Sequence, residues 1–245
     1  MNTHSQEFEV VIKGYNQVLD HIAKSAESVC RDPEDIQLVV VTKGQPMQLV
    51  QWVISAGARL LGENYIDEGL EKINALADKS EVEWHMIGHL QSRKARKMCE
   101  HFTVFQALDS IKLALRLDRL AGEFDRKLPV LMECNLSGET SKYGFACWDH
   151  ALVEDFVEQI KVLRDLDNVI VQGLMTIPPF DQNPETSRPY YRSLREIQAR
   201  LNDLYPELPI TELSMGMSND FEIAIQEGAT MVRIGQAILG ERPSR

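Results

Sequence analysis

Short apolar runs alternate with longer amphipathic segments along most of the chain, and this alternation is what most constrains the fold. Several of the runs are continuous rather than alternating in polarity, which is typical of parallel strands that are covered on both faces. Apolar residues at helical spacing mark the segments between the runs, and one further helix is predicted at about 6–28. We count eight runs, at 37–43, 58–64, 82–89, 102–108, 129–136, 168–177, 211–216 and 230–235.

Eight strands that alternate with helices predict an α/β fold, the (β/α)8 TIM barrel, with the extra N-terminal helix before it. The chain has 245 residues, and about 250 is typical of this barrel. We therefore interpret residues 1–245 as a single domain whose barrel runs from about 35 to about 242. The competing fold is an open doubly wound sheet. That fold would require a GxGxxG turn after its first strand, but this sequence has TKGQPM there.

Charge and composition narrow the possible partners. A net charge of −11 repels phosphate backbones, so no nucleic-acid partner is expected. No apolar run approaches membrane-spanning length, and the N-terminus lacks the order of a secretory signal, so we expect a cytoplasmic protein without a membrane partner. The four cysteines lack metal-ligand spacing and are predicted to be free thiols. The basic segment RKARK at 93–97 is either a solvated face or a contact for an anion or a partner.

Lys43 ends the first predicted strand, VVVTK. Active residues of this barrel lie at the carboxyl ends of its strands, which places Lys43 where a site is expected. One interpretation is a lysine that simply reaches solvent past the strand end. The other is a lysine whose pKa is lowered by desolvation, so that its amine attacks an aldehyde and forms a Schiff base.

The loops after the last two strands, SMGMSND and RIGQA, have the composition of an anion site. In this barrel such loops frequently bind phosphate with the help of a helix N-terminus. Ser214 and Ser218 offer hydroxyl groups, and Gly235 lets the backbone approach an anion closely. A helix is predicted to begin near Ser218, so this serine is also interpreted as its N-cap.

Arg233 is predicted to point into the barrel, because its neighbour Ile234 suits the layer between strands and helices. A buried guanidinium needs a partner, either a carboxylate or an acceptor on a ligand. His85 and His89 fall on a strand and its exit without a third ligand nearby, so no metal site is predicted. Glu63, Asp109 and Glu133 are candidate bases for which the sequence shows no partner.

Six motifs in order resemble the YggS/PROSC family of pyridoxal phosphate homeostasis proteins, from about residue 35 to about residue 242. They are VVVTKGQP, GENYIDEGLEK, WHMIGHLQSRKAR, CNLSGETSKYGF, GLMTIPP and LSMGMSNDFEIAIQEGATMVRIGQAILGER. The resemblance implies a barrel like the N-terminal domain of bacterial alanine racemase. It also implies that pyridoxal 5′-phosphate is held as a Schiff base on Lys43.

Matched by position, the resemblance implies a set of cofactor contacts. The phosphate would lie against Ser218 and the backbone of Gly235 and Gln236, with Ser214 close by. Arg233 would face the pyridine nitrogen, and Asn64 of the GEN motif would lie near the ring. The family usually has a serine where this chain has Thr42, and a threonine where it has Gln236. The glutamine amide either bonds the phosphate or points away.

An arginine at the pyridine nitrogen disfavours protonation of the ring and makes the cofactor a weak electron sink. Racemases with this arrangement use a second acid–base residue, which in alanine racemases comes from a separate C-terminal β-domain of a partner subunit. The printed sequence ends at Arg245, so we expect no such domain. The prediction is therefore a non-catalytic carrier of pyridoxal phosphate that takes part in vitamin B6 homeostasis.

Two alternatives remain at this stage: a weak pyridoxal phosphate-dependent amino-acid racemase, and a Schiff-base aldolase that uses no cofactor. Enzymes that lack their pyridoxal phosphate are candidate recipients of the cofactor. The helices show no long heptad pattern, so a monomer is expected.

Overall fold

The computed structural model describes residues 3–79, 81–208 and 210–242, with side chains from residue 6 onwards. It confirms the predicted (β/α)8 barrel with an N-terminal helix. The eight predicted strands pair in parallel in the order β1-β2-β3-β4-β5-β7-β8-β9, and β9 returns to β1 to close the sheet. These strands are β1 (Gln37–Val41), β2 (Leu60–Glu63), β3 (Glu83–Met86), β4 (Val104–Leu108), β5 (Leu128–Asn135), β7 (Val169–Met175), β8 (Glu212–Ser214) and β9 (Met231–Ile234).

Helices lie between the strands and cover the outside of the barrel. Two of them begin at side-chain caps: Ser110 accepts a hydrogen bond from the backbone of Leu113, and Asp149 accepts one from Leu152. The α-helices are α1 (Thr3–Glu27), α2 (Met47–Ser55), α3 (Ile66–Ala75), α4 (Ala95–His101), α5 (Ile111–Glu123), α6 (His150–Gln159), α7 (Arg188–Leu204), α8 (Phe221–Gln226) and α9 (Gln236–Leu239).

Helix α1 joins the barrel through one apolar stripe. Its buried residues recur at spacings of three and four, which places them on one face of the helix. This face packs against α2, α8 and α9, beside the seam where β9 meets β1. Each fully buried Val or Ile contributes about 1.5–3 kcal/mol, so this stripe is enough to hold the helix in place. The stripe comprises Val11, Tyr15, Val18, Ile22 and Ala26.

Two details differ from the sequence prediction. A ninth strand of two residues, β6 (Phe145–Ala146), pairs with the end of β5. The helix predicted to begin near Ser218 begins at Phe221, and Asp220 accepts a hydrogen bond from the backbone of Met217 in the turn before it, at 2.8 Å. Ser218 is therefore not the N-cap of this helix.

Candidate functional site

A cavity of about 1000 Å³ opens at the carboxyl ends of the strands, where the fold predicts a site. Its wall is built mostly from residues that follow the strands, and Val41, Met86, Glu133 and Arg233 contribute from within β1, β3, β5 and β9. Ser214 is the predicted site residue that does not reach this wall; it is fully buried in the barrel. The other six line the cavity: Lys43, Asn64, Ser218, Arg233, Gly235 and Gln236.

The Lys43 amine is partly buried, and its lowered pKa leaves part of it uncharged at neutral pH. Burial and the positive charges of Arg242 and Arg233 together lower its pKa to about 8, against the opposing effect of Glu63 and Glu68. A lysine with this pKa is uncharged in about one molecule in ten at pH 7. The uncharged amine is the form that attacks a carbonyl carbon.

A buried ion pair fixes the backbone on the N-terminal side of Lys43. Lys72 of α3 donates to the Glu63 carboxylate at 2.6 Å and to the backbone carbonyl of Thr42 at 2.7 Å. The Thr42 hydroxyl donates to the same carboxylate oxygen at 2.5 Å. Burial raises the pKa of Glu63, and Lys72 and Thr42 oppose that rise. Thr42 thus keeps a hydroxyl at the position where the resembling family has serine.

The C-terminal side of Lys43 is held by the same helix. The backbone N–H of Gly44 donates to Glu68 at 2.5 Å, and Lys72 also pairs with Glu68 at 2.8 Å. Gly44 has a φ of +69°, a backbone conformation that glycine adopts without strain. The loop that presents Lys43 is therefore fixed on both sides by contacts with α3.

The pKa of Lys43 gives a direct prediction for its reactivity. Reductive methylation of the cofactor-free protein by formaldehyde and cyanoborohydride is expected to modify Lys43 about tenfold faster for each pH unit up to about 8, and to level off above it. Peptide mass mapping at short reaction times measures the rate. Exposed lysines in the same digest keep gaining reactivity at higher pH. A Lys43 rate that still rises tenfold between pH 9 and pH 10 contradicts the lowered pKa.

Arg233 points into the barrel as predicted and is 4% exposed. Its guanidinium donates to the Ser214 hydroxyl at 2.6 Å and to the backbone carbonyl of Thr176 at 2.9 Å. Within the described ranges no carboxylate hydrogen-bonds this guanidinium, so the carboxylate partner weighed above is absent there. Burial lowers the pKa of Arg233, and the charge of Glu133 opposes this. Arginine stays charged in proteins, so Arg233 brings a positive charge to the cavity wall. The groups that hydrogen-bond it, a hydroxyl and a carbonyl, are neutral.

A chain of buried polar side chains continues from Ser214 across the barrel. Ser214 donates to the Gln106 amide oxygen at 2.7 Å, and the Gln106 amide nitrogen lies 2.7 Å from Nδ1 of His85. Burial lowers the pKa of His85 to about 4, so its ring is neutral and its Nδ1 can accept. The resemblance implies that Ser214 lies close to a phosphate, but its hydroxyl is buried in the barrel and orients Arg233.

Glu133, a candidate base in the sequence, lies on the cavity wall. Burial raises the pKa of its carboxyl group to about 7, and Arg233 opposes this rise while Asp109 adds to it. The site therefore contains a carboxyl group and an amine that both exchange protons near neutral pH. Such shifted groups gather at functional sites more often than elsewhere.

The cavity wall also contains residues of the two loops predicted to bind an anion. Ser218 accepts a hydrogen bond from the backbone N–H of Ala237 at 3.3 Å, and the exposed Gln236 begins the short helix α9. A Cβ at Gly235 would lie 2.8 Å from the carbonyl oxygen of Val41, so this glycine is needed where β9 leaves the barrel beside β1. The predicted phosphate residues Ser218, Gly235 and Gln236 are thus brought together.

Asp109, for which the sequence showed no partner, is paired with His89. The distance between His89 Nδ1 and Asp109 Oδ2 is 2.9 Å. The His89 ring stacks on Tyr143, with 3.7 Å between ring centroids and 11° between planes. His89 and Tyr143 line the cavity together with Lys43. The pair therefore places an oriented imidazole in the same cavity as the reactive lysine.

Other candidate features do not converge on a second site. The described residues contain no group of three or more His, Cys, Asp or Glu placed to hold a metal ion. The cysteines are free thiols in the structure. In the basic segment, Lys94 and Lys97 pair with Asp67 and Arg96 pairs with Glu123, which favours the interpretation as a solvated face. None of the helices in the described ranges has both the length and the apolar character needed to cross a membrane.

Comparisons with known proteins agree with this architecture. The family model described as the alanine racemase N-terminal domain matches residues 17–243. Among curated relatives, the pyridoxal phosphate homeostasis protein of Aquifex aeolicus is 38% identical over 227 residues, which are 93% of this chain and 96% of that protein. The protein of the same name from Escherichia coli is 38% identical over 229 residues, covering 92% and 94% of the two chains.

Solved structures extend the comparison to the fold. The structure of PipY from Synechococcus elongatus with pyridoxal phosphate bound has a TM-score of 0.79 and 36% identity, and covers 89% of this chain and 100% of that one. An alanine racemase from Clostridium difficile has a TM-score of 0.69 at 16% identity. That match covers 95% of this chain and 58% of the racemase, and at this identity it shows the fold alone.

Proposed function

Because this chain belongs to the alanine racemase N-terminal domain family and, within it, to the pyridoxal phosphate homeostasis proteins, we propose that it binds pyridoxal 5′-phosphate and takes part in controlling the free cofactor. One observation carries the proposal. Lys43, with a pKa of about 8, lies on the wall of a cavity that also receives the charge of the buried Arg233. The Lys43 amine can form a Schiff base with an aldehyde, and the positive charge of Arg233 favours an anionic ligand. Together they suit an aldehyde that carries a phosphate group.

The residues present fit the cofactor group by group. Lys43 is the proposed attachment point, through a Schiff base. Ser218 and the backbone of Gly235 and Gln236 form the proposed phosphate site. Asn64 is proposed to lie near the ring. Arg233, which is oriented by Ser214 and the carbonyl of Thr176, is proposed to face the pyridine nitrogen. Bound there, the cofactor supplies an electrophilic carbonyl carbon that reacts with primary amines.

We propose a carrier rather than an enzyme. Arg233 keeps its charge and cannot take a proton from the ring nitrogen. Its described hydrogen-bond partners are a hydroxyl and a carbonyl, both neutral. A cation at that position opposes protonation of the pyridine ring, and an unprotonated ring stabilises negative charge poorly. This arrangement opposes reactions that need the ring as a strong electron sink, such as decarboxylation and transamination. A carrier is placed above a weak racemase because the curated relatives are named homeostasis proteins.

A carrier must also release what it holds. Primary amines, including the active-site lysines of enzymes that lack their cofactor, can replace Lys43 at the carbonyl carbon. We also propose that the protein is a cytoplasmic monomer. The cavity is lined by residues of a single chain, so exchange of the cofactor with soluble enzymes needs no second subunit.

The test is the absorbance spectrum of the protein after incubation with pyridoxal phosphate at neutral pH, recorded before and after borohydride. We expect a visible band that borohydride abolishes, together with a phosphopyridoxyl group on the Lys43 peptide. Borohydride fixes the linkage by reducing its C=N bond, so mass mapping then identifies the attached lysine directly.

Two other outcomes would lead to different conclusions. The absence of any band after incubation would remove the proposed function and favour the cofactor-free aldolase, which borohydride traps only when a carbonyl substrate is added. A phosphopyridoxyl group on another lysine would keep cofactor binding but move the site. Turnover of an amino acid enantiomer that disappears with Lys43→Ala would favour the weak racemase.

A further inference from the structure

The pairing of His89 with Asp109 joins the ends of two neighbouring strands. His89 follows β3 and Asp109 follows β4 directly. The Asp109 side chain is 15% exposed, and its second oxygen accepts a hydrogen bond from the Ser110 hydroxyl at 3.1 Å. A carboxylate held in this way is restricted in its motion, so it restrains the imidazole that it contacts.

The hydrogen bond determines which nitrogen of His89 can accept a proton. An ionised carboxylate only accepts hydrogen bonds, so the proton of the neutral ring lies on Nδ1 and the lone pair lies on Nε2. In the described part of the chain Nε2 has no hydrogen-bond partner. The side chain is 34% exposed, which leaves it accessible to a small molecule. The same arrangement makes histidine a general base in many enzymes.

The location of His89 connects it with Lys43. Its ring lines the cavity that contains Lys43 and also a second cavity of about 500 Å³ beside it. Tyr143 lines both cavities as well, and its stacking keeps the His89 ring in one plane. An oriented base is therefore placed on the wall that the two cavities share.

We propose that His89, oriented by Asp109, is the proton acceptor when a primary amine replaces Lys43 on bound pyridoxal phosphate. This inference rests on the proposed function and adds a residue for the release step. A purely structural role for the hydrogen bond would leave the unpartnered Nε2 and its place on the cavity wall unexplained. In the proposed role, the pair of His89 and Asp109 accepts the proton that the incoming ammonium group must lose.

The proton balance of the exchange is simple. An incoming ammonium group must lose one proton before its nitrogen lone pair can form a bond to the carbonyl carbon, and Nε2 of His89 takes that proton. The bond between this carbon and the Lys43 nitrogen then breaks. The incoming nitrogen loses a second proton as it forms its own C=N bond. Lys43 gains two protons, one of them returned by Nε2 of His89, and leaves as an ammonium group, so His89 ends in its starting protonation state. No electron is gained or lost overall, so no oxidant or reductant is needed.

The experiment compares two amines that differ in charge. Glycine carries an ammonium group at neutral pH, whereas O-methylhydroxylamine is largely uncharged and needs no base to become a nucleophile. With pyridoxal phosphate preloaded, His89→Gln is expected to slow release by glycine about tenfold to a hundredfold. Release by O-methylhydroxylamine is expected to stay within about twofold of the wild-type rate, because its uncharged nitrogen can attack without first losing a proton. Stopped-flow absorbance of the bound cofactor measures both rates.

Three further measurements sharpen the comparison. Added imidazole is expected to restore glycine-driven release in His89→Ala, since it can enter the space and take the proton. His150→Gln is the control, because His150 is an exposed histidine on α6 outside both cavity walls. In the cofactor-free protein, ¹⁵N NMR is expected to show the His89 proton on Nδ1, and Asp109→Asn is expected to disturb that signal. The NMR result does not depend on any bound cofactor.

The outcomes separate this inference from the function on which it rests. Equal slowing with both amines, no slowing with either, or an apo-protein proton on Nε2 would each overturn the role of His89 while cofactor binding stands. A wild-type protein that takes up no pyridoxal phosphate would overturn the function itself, and the role of His89 with it. The His89 side chain is 34% exposed, so the variants are expected to fold, and circular dichroism spectra matching that of the wild-type protein check this.

Discussion

Replacing Lys72 by methionine is expected to lower the free energy of unfolding by about 3–5 kcal/mol at neutral pH, the range for removing one partner of a buried ion pair. Lys72 is 4% exposed and Glu63 is fully buried. Methionine fills a similar volume but leaves the Glu63 carboxylate with the Thr42 hydroxyl as its remaining described partner. Urea unfolding measures the loss.

The loss is expected to depend on pH in a defined direction. Burial already raises the pKa of Glu63, and without Lys72 the pKa rises further. A carboxyl group whose pKa is higher in the folded than in the unfolded state stabilises the fold below its unfolded value of about 4.3 and stops doing so as the pH rises. The deficit of the variant should therefore grow from acid to neutral pH.

A rescue variant and a control identify the cause. The double variant Lys72→Met, Glu63→Gln removes both charges and is expected to recover about 2 kcal/mol or more of the loss. Lys79→Met is the control, since its ammonium group is exposed, and it should change stability by no more than about 0.5 kcal/mol. A single variant at Lys72 as stable as this control would show that the pair contributes little.

The barrel and the position of Lys43 could be predicted because both follow from local patterns in the sequence. Apolar runs that alternate with amphipathic segments are enough to indicate parallel strands and covering helices. The alternation of side chains along a strand is also enough to place Arg233 inside once Ile234 is assigned to the outer layer. The resemblance to a known family added the names of the contacts, which patterns alone do not supply.

The pairings in the site could not be predicted, because they join residues that the sequence keeps apart. Gln106 contacts Ser214 across 108 positions, and His89 contacts Asp109 across 20. One signal was available: a glutamine in the middle of the apolar run FTVFQAL needs a polar partner inside the barrel. The wrong N-cap at Ser218 has a local cause, since a three-residue turn intervenes and Asp220 bonds the backbone there.

The charged groups around Lys43 affect its pKa in opposite directions. The carboxylates of Glu63 and Glu68 fix the loop and favour the charged amine, while Arg233 and Arg242 disfavour it. Burial adds to the effect of the arginines, so the amine becomes reactive near neutral pH without losing its fixed position. An anionic ligand in the cavity would neutralise the arginines, raise the pKa of the lysine and thereby make a bound imine easier to keep protonated.

Lys43→Met is expected to abolish covalent attachment of pyridoxal phosphate and to weaken its binding by about a hundredfold, or about 2.7 kcal/mol. The variant keeps the proposed phosphate site and Arg233, so some noncovalent binding should remain. Thermal unfolding with and without the cofactor measures the change. A ligand at a hundred times its Kd raises the free energy of unfolding by about 2.7 kcal/mol, and the variant should lose most of this gain.

Without the cofactor the same substitution is expected to leave stability unchanged or to increase it. Burial and two arginines oppose the charge of Lys43, so its pKa is lower in the folded state than in the unfolded state and the charged lysine destabilises the fold at neutral pH. Lys97→Met, which removes an exposed lysine outside the cavity wall, is the control and should bind and label as the wild-type protein does. Retention of a band that borohydride abolishes in Lys43→Met would place the attachment on another lysine. A large loss of stability without the cofactor would instead assign Lys43 to the fold, and its weakened binding would then say nothing about chemistry.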